Sequence, residues 1–194
     1  MKARMRHTRR KSSTGFTLIE ILVVLIIIGV LFAIAAPSWT ALMNRQRVGT
    51  VREQAVQVIR EAQNKARLTR VPQAIVFDNN NNDGTIAPRA AIVARSLNLT
   101  TDKIDKSIIN IATINNWQTL GGGDVKGGGI DFFAGVGQLV FDGNGAIDEQ
   151  TTIPFVVKVK PRNASAQTYR CAVVQTLLGS IRLTDGEKDT TLCK

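Results

Sequence analysis

The chain has 194 residues, a formal net charge of +10, two cysteines and a single histidine, His7. Everything after His7 therefore lacks the histidine that Ser-His or Cys-His catalysis and histidine-ligated zinc or iron sites require. The acids show no pairing at a spacing typical of carboxylate catalysis. We expect a protein that is not an enzyme and uses no cofactor or metal, with room for one globular domain and an anchor.

Residues 1–15 form a strongly basic segment without acidic residues. Its six positive charges leave +4 for the side chains of the remaining chain, so most of the net charge belongs to this segment. The six residues are Lys2, Arg4, Arg6, Arg9, Arg10 and Lys11. Because positive residues beside a membrane segment stay in the cytoplasm, the distribution predicts that the C-terminal part crosses to the other side.

A long apolar run follows the basic segment. Residues 21–36 contain no charged or strongly polar side chain, and only Thr17 and Glu20 interrupt the run back to Phe16. At about 1.5 Å per residue, a helix over this run would measure roughly 30 Å, the thickness of a bilayer's hydrocarbon core. A helix that is apolar on all sides must lie in lipid or be enclosed by protein. The pattern predicts a transmembrane or filament-core helix over residues 16–37.

Glu20 is the exception within this run. A carboxylate deep in a membrane costs about 2.5–3.5 kcal/mol when it is unpaired, so its presence suggests a function. The positive end of the helix dipole lowers that cost near the N-terminus. Cleavage between Gly15 and Phe16 would create an α-ammonium group four residues before Glu20. The two charges could then neutralise each other within one helix or between two staggered helices.

The stretch GFTLIE at residues 15–20, followed by the apolar run, resembles the cleavage and methylation signal of type IV pilins and pseudopilins. The resemblance implies that a prepilin peptidase cleaves after Gly15 and methylates the new N-terminal Phe16. It implies that Glu20 guides the docking of subunits during assembly. Pro37 stands where pilins often carry a proline.

The same resemblance implies the partners and the location of the chain. The expected partners are the prepilin peptidase, other pilins or pseudopilins, the inner-membrane assembly platform and the lipid bilayer. The chain would cross the inner membrane once, with a cytoplasmic N-terminus and an extracytoplasmic domain, before it enters a pilus or a pseudopilus.

Two other interpretations of the N-terminus stay open at this point. An ordinary signal peptide would be cleaved after Ala35, with Ala33 and Ala35 as the small residues of the site, which would leave Ala36 as the N-terminus. A plain membrane anchor would keep Met1. The N-terminal residue of the mature protein separates these two interpretations from the pilin-type signal.

Residues 38–71 continue as an amphipathic helix in the prediction. The proline ring at Pro37 removes one backbone hydrogen bond, so the helix should kink or loosen around residues 33–37. Beyond it, apolar residues at three- and four-residue spacing form a stripe that should pack on a sheet: Val48, Val51, Ala55, Val58 and Ala62. Pro72 disfavours helix at the residue before it, so the helix should stop near Val71.

Residues 72–194 read as a β-rich globular domain. The predicted strands are 74–77, 90–94, 130–133, 138–141, 153–160, 169–177 and 180–183, while 104–118 is ambiguous. Residues 78–84 (DNNNNDG), the glycine-rich 121–129 and the turn 142–145 (DGNG) separate them. A helix followed by strands predicts an α+β fold, with the helix laid across an antiparallel sheet.

The two cysteines, Cys171 and Cys193, both lie near the C-terminus. An even pair in an exported domain predicts a disulfide, although two unrelated buried thiols remain the alternative.

The C-terminal half also resembles the H-type minor pseudopilins of type II secretion and the FimT-type minor pilins. The resemblance lies in residues 132–135 (FFAG) and 141–145 (FDGNG), followed by two closing strands. Some FimT-type members carry a Gly-Arg-x-Arg motif linked to DNA binding. The nearest match here is 179–182 (GSIR), in which Arg182 is present and Ser180 replaces the first arginine. This match gives the alternative hypothesis of a DNA-binding minor pilin that acts in DNA uptake. Calcium at the oxygen-rich turns 79–84 and 142–148 is a further alternative, but plain turns are the favoured interpretation of those residues.

Overall fold

The computed structural model describes residues 15–78, 87–95, 97–98, 103–104, 109, 111–122, 129–135, 138–149, 151–162, 164–165, 168–189 and 191–193. The chain forms two compact units, Met1–Ala41 and Leu42–Lys194. Nearly all of the predicted leader, the asparagine-rich turn after Asp78 and the centre of the glycine-rich loop lie outside the described residues.

Helix α1 spans Leu18–Thr69. Helix α1 continues through Pro37, where the sequence predicts a kink or loosening. The backbone there stays helical although proline removes one hydrogen bond. In the second unit, the predicted apolar stripe of α1 is buried and belongs to the main core. This confirms the amphipathic reading of that part of the helix.

The end of α1 agrees with the prediction to within two residues. Arg70 follows the helix with a φ of 57°, in the left-handed region where helices commonly terminate. The hydroxyl of Thr69 donates to the carbonyl of Lys65 at 2.8 Å. Pro72 then begins the extended segment that leads into the first strand.

Short strands make up most of the remaining described chain. They are β1 (Gln73–Asp78), β2 (Arg89–Ala94), β3 (Leu97–Asn98), β4 (Lys103–Ile104), β5 (Gln118–Thr119), β6 (Ile130–Ala134), β7 (Leu139–Phe141), β8 (Phe155–Pro161), β9 (Arg170–Val174) and β10 (Ile181–Asp185). A short 3-10 helix covers Ile111–Thr113, within the stretch that the sequence left ambiguous.

Within the described residues, the strands form two four-stranded antiparallel sheets and the small pair β3–β4. We call the sheet with the order β5-β2-β1-β7 sheet 1, and the sheet with the order β10-β9-β8-β6 sheet 2. The predicted α+β class with a helix on antiparallel strands is confirmed, and the strands divide between two main sheets. The chain enters sheet 2 at β6, returns to sheet 1 at β7 and enters sheet 2 again at β8, an order that local patterns do not encode.

Each sheet has an inner face that joins the core around α1. The inner residues of sheet 1 include Ile75 and Phe141, and those of sheet 2 include Phe132, Val157 and Val174. Because side chains alternate along a strand, the residues between them point to the opposite, outer face. Those outer residues form separate small clusters with other parts of the chain.

Candidate processing and assembly site

The bond between Gly15 and Phe16 lies just before α1, outside the helix. Thr17 caps the helix: the N–H of Glu20 donates to the Thr17 hydroxyl oxygen at 3.3 Å, and the N–H of Ile21 donates to the Thr17 carbonyl at 3.2 Å. A threonine cap followed three residues later by glutamate is the arrangement of a helix-starting capping box. Phe16 is 74 % exposed. The predicted cleavage point is therefore accessible and non-helical.

The first unit exposes its apolar side chains. Large hydrophobic residues from Leu18 to Ile34 are exposed around the helix, and Glu20 is the one acid among them. Glu20 lies in the first turn of α1, where the helix dipole favours a negative charge. Pro37 lies further along the same helix. An apolar surface of this extent requires lipid or other protein chains around it.

Measured for length and apolarity over the described residues, no helix reaches what crossing a membrane requires.

The structure joins Cys171 and Cys193 in a disulfide, with a Cα–Cα distance of 5.9 Å. Both cysteines are fully buried and form a cluster with Val173, against which Tyr169 and Leu192 pack. The bond therefore holds the C-terminal segment against the outer face of sheet 2.

Arg182, the residue proposed from sequence as a DNA contact, forms an ion pair with Asp189. The pKa of the Asp189 carboxyl is lowered, chiefly because the N–H of Leu192 donates to it. The N–H of Thr191 and the guanidinium of Arg182 lower the pKa further, and partial burial opposes them. The charge of Arg182 is thus compensated within the chain, and this arrangement does not favour phosphate binding.

In the turn 142–145, one of the oxygen-rich segments, backbone N–H groups occupy the Asp142 carboxylate. The Asp142 carboxylate accepts hydrogen bonds from the N–H groups of Asn144 and Ala146 at 2.9 Å and 2.8 Å. In the part of the chain that the structure describes, no group of three His, Cys, Asp or Glu residues could hold a metal ion.

Sequence reasoning missed the residues that fix the end of α1 to the domain. The Gln63 side-chain amide donates to the carbonyls of Gly145 and Leu178 at 2.8 Å and 2.9 Å. A side chain at Gly145 would collide with Arg67, and one at Gly179 would collide with Gln63. The two glycines also have a φ of 79°, which other residues rarely adopt. The glycines of residues 141–145 could have indicated this contact, because a close approach to the backbone is one of the usual reasons for glycine.

Comparisons with known proteins found similarities to the N-terminal segment and to the folded domain. Residues 10–36 match a family described as the prokaryotic N-terminal methylation motif. No curated protein matches the chain in sequence at a significant level.

Among solved structures, the chain is similar to the type IV minor pilin FimU of Pseudomonas aeruginosa PAO1. The identity is 15 %, the match covers 79 % of this chain and 99 % of FimU, and the TM-score is 0.52. The minor pseudopilin EpsH from the type 2 secretion system of Vibrio cholerae matches at 16 % identity. That match covers 69 % of this chain and 92 % of EpsH, with a TM-score of 0.42. The chain thus carries a prokaryotic N-terminal methylation motif at the start of α1, and the domain that follows it has the fold of a type IV minor pilin.

Proposed function

We propose that this chain is a structural minor subunit of a type IV pilus or a type II secretion pseudopilus. A prepilin peptidase removes residues 1–15 and methylates Phe16, and the N-terminal part of α1 then packs into the filament. Before assembly, the helix is held in the inner membrane, with the basic leader on the cytoplasmic side. Other pilins and the assembly platform are the partners in this scheme.

One observation carries the proposal: a helix with apolar side chains exposed on all sides begins directly after the exposed Gly15–Phe16 bond. Such a helix is unstable in water alone, since exposed apolar surface costs about 25 cal/mol per Å². Lipid and the helices of neighbouring subunits are the two surroundings that a pilin meets in turn. The structural similarity of the domain to a minor pilin supports the same conclusion.

The first experiment determines the mature N-terminus. The full chain is expressed in a host with a prepilin peptidase. Its N-terminus is sequenced, and the mass of the N-terminal peptide is measured by mass spectrometry. We expect Phe16 carrying one additional methyl group. An N-terminus at Ala36 would indicate an ordinary signal peptide, and one at Met1 an uncut anchor; either result contradicts the proposal.

A substitution of Glu20 tests the assembly step. Glu20→Ala removes the acid that would pair with the α-ammonium group of Phe16. The variant should still enter the membrane but should be recovered in sheared filaments about tenfold less than wild type, as expected for an ion pair worth roughly 1.4 kcal/mol. Glu61→Ala is the matched control, since Glu61 is an exposed glutamate of the same helix in the domain. Equal incorporation of the Glu20→Ala variant and wild type would contradict a role in docking.

A further inference from the structure

Strand β10 ends sheet 2: it pairs with β9, and no other described strand lies on its opposite side. Two hydrogen bonds flank this pairing. The N–H of Gln175 donates to the carbonyl of Ser180 at 3.0 Å, and the N–H of Gly186 donates to the carbonyl of Tyr169 at 2.8 Å. The backbone N–H and C=O groups of the even-numbered residues, from Ser180 to Gly186, therefore point toward β9.

In an antiparallel pair, positions that bond to the neighbour alternate with positions whose N–H and C=O groups point away. The odd-numbered residues of β10 consequently direct their backbone groups to the open edge: Ile181, Leu183 and Asp185. Their side chains lie on the inner face, as the packing of Ile181 against the core shows. The carbonyl of Asp185 accepts hydrogen bonds from the N–H groups of Lys188 and Asp189, so the backbone groups of Ile181 and Leu183 are the ones that another strand could fill.

Natural proteins usually protect such an edge with charged side chains or proline. Strand β10 contains no proline, and its two charged residues, Arg182 and Asp185, each lie in an ion pair within the chain. Asp189 compensates the charge of Arg182. Leu183, at the centre of the edge, is 45 % exposed. Neither proline nor an unpaired charge within β10 therefore protects this edge against strand pairing.

Helix α1 runs beside the edge in the opposite direction. Arg52 forms an ion pair with Asp185 at 3.6 Å, and Gln63 bonds to the carbonyl of Leu178 at the other end of the strand. Arg60 lies between these two anchors, is exposed, and has no ion pair with any described residue. A strand added to β10 would thus lie next to the apolar side chain of Leu183 and the positive charge of Arg60.

We propose that the open edge of β10 binds an extended segment of a different, neighbouring subunit, which adds to sheet 2 as a further strand. The segment places an apolar residue opposite Leu183 and a carboxylate within reach of Arg60. This inference rests on the proposed function as a filament subunit. Antiparallel pairing of two copies through β10 would turn their α1 segments in opposite directions, which subunits that share one membrane and one filament axis cannot adopt.

The test compares incorporation of full-length variants into sheared filaments. Leu183→Pro removes the central outward N–H, a change that edge strands tolerate, and Leu183→Lys places a charge on the edge. We expect each variant to be cleaved and to form the Cys171–Cys193 disulfide, yet to be incorporated about tenfold less than wild type. Leu178→Lys is the matched control and should be incorporated normally, because Leu178 is 76 % exposed but lies in the turn before the strand.

Hydrogen exchange of wild type identifies strand addition directly. The amide of Leu183 should exchange rapidly in the isolated chain in detergent and slowly in the filament, whereas the amide of Arg182 should be protected in both. Rapid exchange at Leu183 in the filament, or normal incorporation of both Leu183 variants, overturns the inference. So does an equal loss for Leu178→Lys, or an isolated chain that dimerises until Leu183→Lys separates it. Wild type that is neither cleaved nor incorporated refutes the proposed function itself, and that result is distinct from the others.

Discussion

Sheet 1 and sheet 2 each bury their inner face around α1, and each covers its outer face with a non-strand segment. On sheet 1, that segment lies in the middle of the chain. Ile114 and Trp117 pack against Val76 and Ala91, and the Asn116 side chain donates to the carbonyl of Ile92 at 3.1 Å.

An ion pair and an aromatic ring complete the cover of sheet 1. Arg89 of β2 bonds to the buried Asp78 of β1 at 2.7 Å. The guanidinium carbon of the same arginine lies 4.5 Å from the centre of the Trp117 ring. The segment is thus held by packing, by hydrogen bonds and by a cation–π contact.

The cover of sheet 2 is the C-terminal segment. Leu192 and Cys193 pack on Cys171 and Val173, and the disulfide fixes them there. The carboxylate of Asp189 accepts hydrogen bonds from the N–H groups of this segment. The two covers are thus held differently: that of sheet 1 by packing, a hydrogen bond and a cation–π contact, and that of sheet 2 by a disulfide and the Asp189 carboxylate.

The largest expected effect comes from removing the disulfide. A double variant, Cys171→Ala with Cys193→Ala, frees a closed loop with a sequence separation of 22 residues. We expect the free energy of unfolding to fall by roughly 3 kcal/mol, measured by denaturant titration of the full chain in detergent. Amides of β9 should exchange faster, whereas those of β1 should not change. Reductant is the control and should leave the double variant unaffected. Equally faster exchange in both sheets would show that the two covers do not act separately.

The second effect compares apolar side chains of the two covers. Ile114→Ala removes a buried side chain from the cover of sheet 1 and should cost about 2–3 kcal/mol. Leu192→Ala removes a half-buried one from sheet 2 and should cost about 1 kcal/mol, because the disulfide still holds the segment. The two variants are compared in the same denaturant titration. If Leu192→Ala proved as costly as Ile114→Ala, packing rather than the crosslink would hold the C-terminal segment.

The sequence predicts the cover of sheet 2 better than the cover of sheet 1. The cysteine pair in an exported chain predicts the bond on sheet 2, since the chemistry of an oxidising compartment is local information. The residues 104–118 gave no clear prediction, because a covering segment has neither the period of a helix nor that of a strand. The short apolar runs of β1 and β2 located the strands, yet nothing in them indicated which side chains face α1.

The N-terminal site shows the same division. The stretch 15–20 and its phase with the apolar run predict the N-terminal methylation motif that residues 10–36 match, because such a motif consists of adjacent residues. By contrast, the pairing of Arg182 with Asp189 and the contacts of Gln63 with two turns depend on how distant segments fold together. The sequence offers Arg182 as a possible DNA contact, and the tertiary structure pairs it with the carboxylate of Asp189.

The smallest expected effect is the pH dependence of the C-terminal cover. The pKa of Asp189 is lowered from its ordinary value of 3.8, mainly by the hydrogen bond from the N–H of Leu192. The ionised carboxyl therefore stabilises the fold above pH 3.8, and this contribution disappears as the pH falls through the lower folded-state pKa. Asp189→Asn should lower the melting temperature most above the ordinary pKa, and the curves of variant and wild type should converge at lower pH.

The effect of Asp189 should be modest, because water and salt screen a group near the surface. Glu187→Gln is the matched control: Glu187 is an exposed acid two residues away, and its replacement should leave the pH profile unchanged. Melting temperatures of the oxidised chain, recorded from about pH 2 to about pH 6, provide the measurement. Parallel profiles for wild type and Asp189→Asn would mean that the disulfide alone holds the C-terminal segment. Sheet 2 would then rely on one covalent bond where sheet 1 uses several weak contacts.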